Sequence, residues 1–272
     1  MLIRKPAVAG QFYPASKSHL ENEVKKYLSV SGKKRDCIGV VSPHAGYIYS
    51  GPVAGALFAS INVPQRVIVI SPNHTGEGAA AAIMPEGVWE MPSGNIEIDS
   101  ALSAKLMANC GELKADIRAH IAEHSLEVQL PFLQYCRPDL KIVPITVSHL
   151  RFDICDKIGK AIAKTIKADA SSSKGRILIV ASSDMTHYEP ATIAGVKDKK
   201  AIERVLVLDP KGLLDICAKE RITMCGVIPA AIMLIAAKEL GAAKGELVKY
   251  ATSGDITHDM ESVVGYAGMM VY

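Results

Sequence analysis

Seven runs of apolar residues, at 37–42, 66–71, 79–84, 141–147, 176–182, 247–252 and 264–271, are mostly continuous and bounded by Gly, Pro or Ser. Runs of this kind suit strands covered on both faces rather than strands with one wet face. Between them the sequence predicts helices at 51–60, 99–109, 124–135, 153–167, 194–207 and 227–240. Two further helices have readable starts. "SHLENEVKKYL" opens with Ser18 and carries Glu21 three residues on, a capping-box pattern. "DPKGLLDICAKE" offers Asp209 as N-cap and Pro210 at the first helical position. Strands alternating with helices predict an α/β fold, with a largely parallel central sheet flanked by helices. With no internal repeat, no compositional break and no biased segment longer than "SSSKG" at 171–175, one domain spanning 1–272 is expected.

Composition narrows this picture. Hydrophobic residues make up 49% of the 272 and aromatics only 5%, so the core is expected to be aliphatic, as in α/β proteins. The 31 basic and 28 acidic residues leave a net charge of +3, too balanced to indicate nucleic acid or an anionic membrane. The basic clusters "SGKKRD" at 31–36 and "KDKK" at 197–200 read as solvated loop or helix faces. "MLIRKPAVAG" lacks the apolar core of a signal peptide, which makes the cytoplasm the expected compartment. The longest apolar stretch, "GVIPAAIMLIAA" at 226–237, is shorter than the roughly eighteen residues a membrane span needs and contains Pro229. Six cysteines are scattered without a CxxC, so reduced thiols are expected.

The chemistry gathers where strands end. "CIGVVSPHAGY" delivers His44 after Val40 and Val41, "VIVISPNHTG" delivers His74 after Val67 to Ile70, and "RILIVASSDMTHYEP" delivers Asp184 and His187 after Ile177 to Val180. Ligands of open α/β sheets sit beyond the carboxyl ends of strands, so parallel neighbours would bring these side chains to one rim. A second cluster, "AEHSLEVQLPFL", places Glu123, His124 and Glu127 at a predicted helix N-terminus. There Glu123 can act as a cap, and His124 can either reach the crevice or bond structurally. In "ITMCGVIPAAIMLI", Cys225 and Gly226 precede an apolar helix whose dipole would favour a reactive thiolate, the other reading being an inert buried thiol.

Seven blocks, "KPAVAGQFYP", "SPHAGYIYSG", "SPNHTG", "EHSLEVQLPFL", "ASSDMTHYEP", "TMCGVIPAA" and "SVVGYAGMMVY", resemble in order the Memo family in its prokaryotic form. The resemblance implies a single domain similar to the class III extradiol dioxygenases, with a non-haem metal crevice. Its metal ligands would be His44, His74 and Cys225, and Asp184, His187 and His124 would be its acid/base and orienting groups. Ring-cleaving dioxygenases complete two histidines with a carboxylate, whereas the matching ligand here is a cysteine, which also suits copper or zinc. The Val227 and Ile228 that follow the Cys-Gly pair differ from the polar residues of eukaryotic relatives, so a signalling role is not carried over.

The first expectation is therefore a metal-dependent redox protein of dioxygenase or oxidoreductase type, with iron or copper and His187 moving a proton under the guidance of Asp184. One alternative is a metal-dependent hydrolase with Glu123 or His187 as base. The other is an inactive module that reads a peptide or protein in the same crevice. The resemblance also implies AMMECR-type and radical-SAM proteins as partners.

Overall fold

The structure, a computed structural model, describes residues 2–29, 33–170 and 175–272; most of "SSSKG" and the first two residues of "SGKKRD" lie outside the described residues. The chain opens with β1 (Ile3–Arg4), α1 (Lys17–Tyr27), β2 (Gly39–Ser42), α2 (Tyr47–Ala59) and β3 (Arg66–Pro72). Small strands β4 (Ala81–Ile83), β5 (Val88–Trp89) and β6 (Ile96–Ile98) lead to α3 (Ser100–Asn109), β7 (Lys114–Ala115) and α4 (Arg118–Ile121). A 3-10 turn at Glu127–Gln129 precedes α5 (Leu130–Cys136), β8 (Lys141–Val147), α6 (Phe152–Ala170), β9 (Ile177–Ser182) and β10 (His187–Glu189). The last elements are α7 (Ala191–Leu206), α8 (Pro210–Glu220), α9 (Val227–Glu239), β11 (Gly245–Thr252), α10 (Gly254–Thr257) and β12 (Val263–Val271).

The sheet runs β1-β5-β6-β8-β3-β9-β2-β12-β10, and its middle four strands, β8, β3, β9 and β2, are mutually parallel. On one flank β12 is antiparallel to β2 and to β11. Alternate side chains of the middle strands go to opposite faces, as the pleat requires. Ile68, Ile70, Val143, Ile145, Ile177 and Ile179 join one core with α3, α6 and α9. Val67, Val69, Ile142, Leu178 and Val180 join a second core with α1, α2 and α5. Both faces are covered, which is why these strands read as unbroken apolar runs. Among the described residues no helix is long and apolar enough to cross a membrane.

All seven expected strands are present, and the differences lie in short elements. Strands of two or three residues, such as β1, β5 and β7, are too short to carry a period of their own. The expected helix at 124–135 is replaced by a turn, the 3-10 segment and the shorter α5, so Glu123 and His124 stand outside any helix. The capping box at Ser18 does not form; α1 starts at Lys17 with Ser16 at its N-cap and no side-chain cap bond. At α8 the reading holds, since the Asp209 carboxylate accepts from Gly212 N.

His120 on α4 is fully buried, with Nδ1 3.1 Å from Thr146 Oγ1. Burial first, then the Arg4 charge, push its imidazole from 6.5 down to about 4. The folded state thus favours the neutral ring, and the unfolded chain takes up the proton first as pH falls. The stability tied to this ring is complete above pH 6.5 and is lost between there and pH 4, with roughly 2 kcal/mol gone by pH 5. Urea unfolding at pH 7 and pH 5 should therefore show a steeper loss for the wild type than for His120→Asn. Equal losses would contradict the assignment.

Candidate metal centre

The parallel register sets the site. Ser42 lies opposite Ser182 across β2 and β9, and Ile70 opposite Ala181 across β3 and β9, so the three strands end level. The residues just beyond them face one crevice, as expected. The ring of His44 lies 5.3 Å from that of His74 and 5.5 Å from that of His124, centroid to centroid. His124 stacks on His74 at 4.7 Å. One ring nitrogen from each of the three lies within 4.8 Å of the others, the spread a single ion can bridge.

Hydrogen-bond counting fixes the tautomers. Ser182 Oγ has one proton, donated to the Ser125 carbonyl at 2.7 Å, and it also accepts from Gln129 Nε2 at 2.9 Å. His44 Nδ1, 2.9 Å from that same oxygen, must therefore carry a hydrogen and donate. Its Nε2 is left with a bare lone pair facing the crevice. His74 likewise carries a hydrogen on Nδ1, which lies 2.9 Å from Glu123 Oε1, and a carboxylate only accepts. Glu123 also accepts from His74 N at 2.6 Å and from Ser125 N and Oγ. Burial would raise its carboxyl, but the His74 and Ser125 hydrogen bonds outweigh that and hold it at about 2. A fixed anion behind a histidine is the usual orienting partner of a metal ligand.

Cys225 closes the other side, with Sγ 3.3 Å from His44 Nε2. Its thiol differs from the expected dipole-activated thiolate. Burial, then the Asp184 charge, push its pKa up, and α9 starts two residues later with its Gly226 N–H held by Ser183 Oγ. The thiol proton has two acceptors within reach, the bare His44 nitrogen and, at 3.7 Å, the Asp184 carbonyl. A cation bound by Sγ would displace that proton and invert the local preference for the neutral thiol. Gly226 is required by close packing, since a Cβ would run into Ser182 O and Ser183 Cβ.

Asp184 and His187 lie at the same rim but not as the expected pair. His187 takes the Thr223 carbonyl as its orienting partner, 3.0 Å from Nδ1, and anchors its backbone N–H on Thr223 Oγ1 at 2.7 Å. The Asp184 carboxylate instead accepts from His44 N at 2.8 Å, and burial raises it to about 6 against that bond. The next residue, Tyr188, is exposed and held at φ 60°, in the left-handed region a tyrosine rarely adopts.

Beneath the crevice the N-terminal segment is fastened to the same turn. Arg4, buried, pairs with Glu127, gives Nε to the His120 carbonyl and Nη2 to the Glu123 carbonyl, and lies over Trp89. Glu127 further accepts from Ala7 N, Val8 N and the Tyr13 hydroxyl. Phe12, carried on this segment, lies 4.8 Å from the His124 ring. The roles of Ser182, Gln129 and Glu127 were not legible in sequence, although all three lie inside the blocks that carry the resemblance.

Comparison with known proteins agrees with this resemblance across the chain. The chain is 41% identical to a MEMO1 family protein of Methanopyrus kandleri over 98% of both chains. It is 40% identical to one of Methanosarcina mazei over the full length of both, and 40% identical to one of Aquifex aeolicus over 99% of both. The family model described as Memo-like protein matches residues 4–270, and the chain belongs to that family.

Proposed function

We propose that this protein is a metal-binding redox protein of the non-haem type, acting as a dioxygenase-like oxidoreductase. The observation that carries the reading is the convergence of His44 and His74, each donating from Nδ1 to a fixed acceptor, on one crevice with Cys225 beside them. These three would hold the metal, while His124, stacked on His74, lines the remaining side. Nitrogen and sulfur donors fit iron and copper, and zinc as well, better than they fit magnesium or calcium. Bound iron or copper would supply one-electron chemistry and Lewis acidity, and zinc Lewis acidity alone.

The chain's own groups then have separate tasks. Glu123 and Ser182 fix the two ligand rings. His187, donating from Nδ1 to Thr223 O, keeps Nε2 free to take and return a proton at the rim. Asp184 holds the His44 backbone. Glu123 is unsuited to be the base of the alternative hydrolase, because His74 and Ser125 already occupy its oxygens in a fully buried position. The cytoplasm, and AMMECR-type and radical-SAM partners, belong to the same proposal and rest on the sequence resemblance.

Elemental analysis of anaerobically purified protein tests it. Close to one equivalent of iron or copper per chain, lost in His44→Ala, is the expected result. Wild-type metal content in His44→Ala would overturn the site.

A further inference from the structure

Next to the metal centre lies a cavity of about 750 Å³ whose lining includes His74, Cys225 and Thr223. Its walls come from three chain segments, 72–74, 147–152 and 214–229, two of them at the carboxyl ends of β3 and β8. They include Val147, Leu150, Phe152, Leu214, Met224 and Ile228. No lysine or arginine is among the described lining residues, and the one carboxylate, Asp215, is exposed and paired with Lys211 at 2.7 Å. The helix N-terminus at the wall offers an anion little either. Gly226 N donates to Ser183 Oγ, Val227 N to the Met224 carbonyl, and Pro229 has no N–H. Apart from a metal held at the His74 and Cys225 wall and the His149 ring, a carboxylate or phosphate entering this space would meet only the neutral side chains of Asn73, Ser148 and Thr223, so its desolvation would be poorly offset.

We propose that the cavity receives a neutral small molecule with an apolar body, its hydroxyl or carbonyl end directed at the His74 and Cys225 wall. This names the substrate class of the metal centre proposed above and rests on that reading. The volume lies within the range of small-molecule sites, whose walls are mainly apolar with a few polar groups that set orientation. Val227 and Ile228, both lining residues, extend the apolar surface to the residue pair that follows the metal-site cysteine and glycine.

The test titrates the full-length protein, as purified, with two probes of one shape: neutral 2-naphthol and anionic 2-naphthalenesulfonate, a poor metal ligand. Fluorescence should show the neutral probe binding about tenfold or more tightly than the sulfonate. Leu214→Lys, at a half-buried wall position, should weaken 2-naphthol by a similar factor and bring the sulfonate ahead, with metal content unchanged. Ala218→Trp, at an exposed lining position where folding is not at stake, should block both probes. Sulfonate binding as well as or better than 2-naphthol in the wild type, or unchanged 2-naphthol affinity in both variants, would overturn the proposal. The two readings fail separately. A metal-free protein that keeps the neutral preference refutes the metal centre alone, whereas a metal-loaded protein that prefers the sulfonate refutes the substrate class alone.

Discussion

His44→Ala and His74→Ala are each expected to weaken metal binding by about a hundredfold or more, while Glu123→Gln costs roughly 10- to 100-fold with every ligand in place. The first two remove a donor atom. The third keeps the size of the side chain but replaces a charge behind the His74 ring by an amide that can present its NH2 to Nδ1, loosening the ring's tautomer and aim. His187→Ala, whose ring is tied to Thr223, should leave metal affinity within a few-fold of wild type. Competition with a chromophoric chelator gives all four values on one scale. Wild-type affinity in Glu123→Gln, or a loss in His187→Ala larger than that in His74→Ala, would contradict the ligand assignment.

Arg4→Met is expected to destabilise the fold by about 3–5 kcal/mol, because it leaves the Glu127 carboxylate buried without its cation. Four backbone groups depend on the same arginine or its partner: the carbonyls of His120 and Glu123, and the Ala7 and Val8 amides held by Glu127. The double variant Arg4→Met with Glu127→Gln removes the stranded charge and should recover part of the loss. Urea denaturation of both variants checks this. A loss under 1 kcal/mol in Arg4→Met would show that the pair contributes nothing beyond a surface ion pair.

Much of the architecture was legible because the middle strands are buried on both faces. Val67 to Ile70 and Ile177 to Val180 leave no polar position to mistake, and the parallel order that follows places His44 and His74 together. What sequence patterns could not supply is the geometry of turns. Glu123 resembles a helix cap by spacing, yet the segment turns before α5 begins, and this turn lets its carboxylate face His74. Ser182 and Gln129 look like ordinary core-adjacent polar residues. Their part depends on a hydroxyl proton and an amide shared across elements 53 positions apart, which no local period records. For Cys225 the helix start suggests a dipole that lowers the thiol pKa, while burial, visible only in the packed chain, pushes it up.

The central claim is that His44 and His74 bind metal through Nε2, with Nδ1 protonated by design of their neighbours. Two-bond 1H–15N correlation spectra of the imidazoles, recorded on metal-stripped protein and again after one equivalent of diamagnetic Zn(II), test it most directly. The account predicts Nδ1–H tautomers for both rings before addition, and a stoichiometric shift of their Nε2 resonances afterwards, with His19 and His258 unmoved. An Nε2–H tautomer at either ring, or zinc shifts confined to the other histidines, would contradict it.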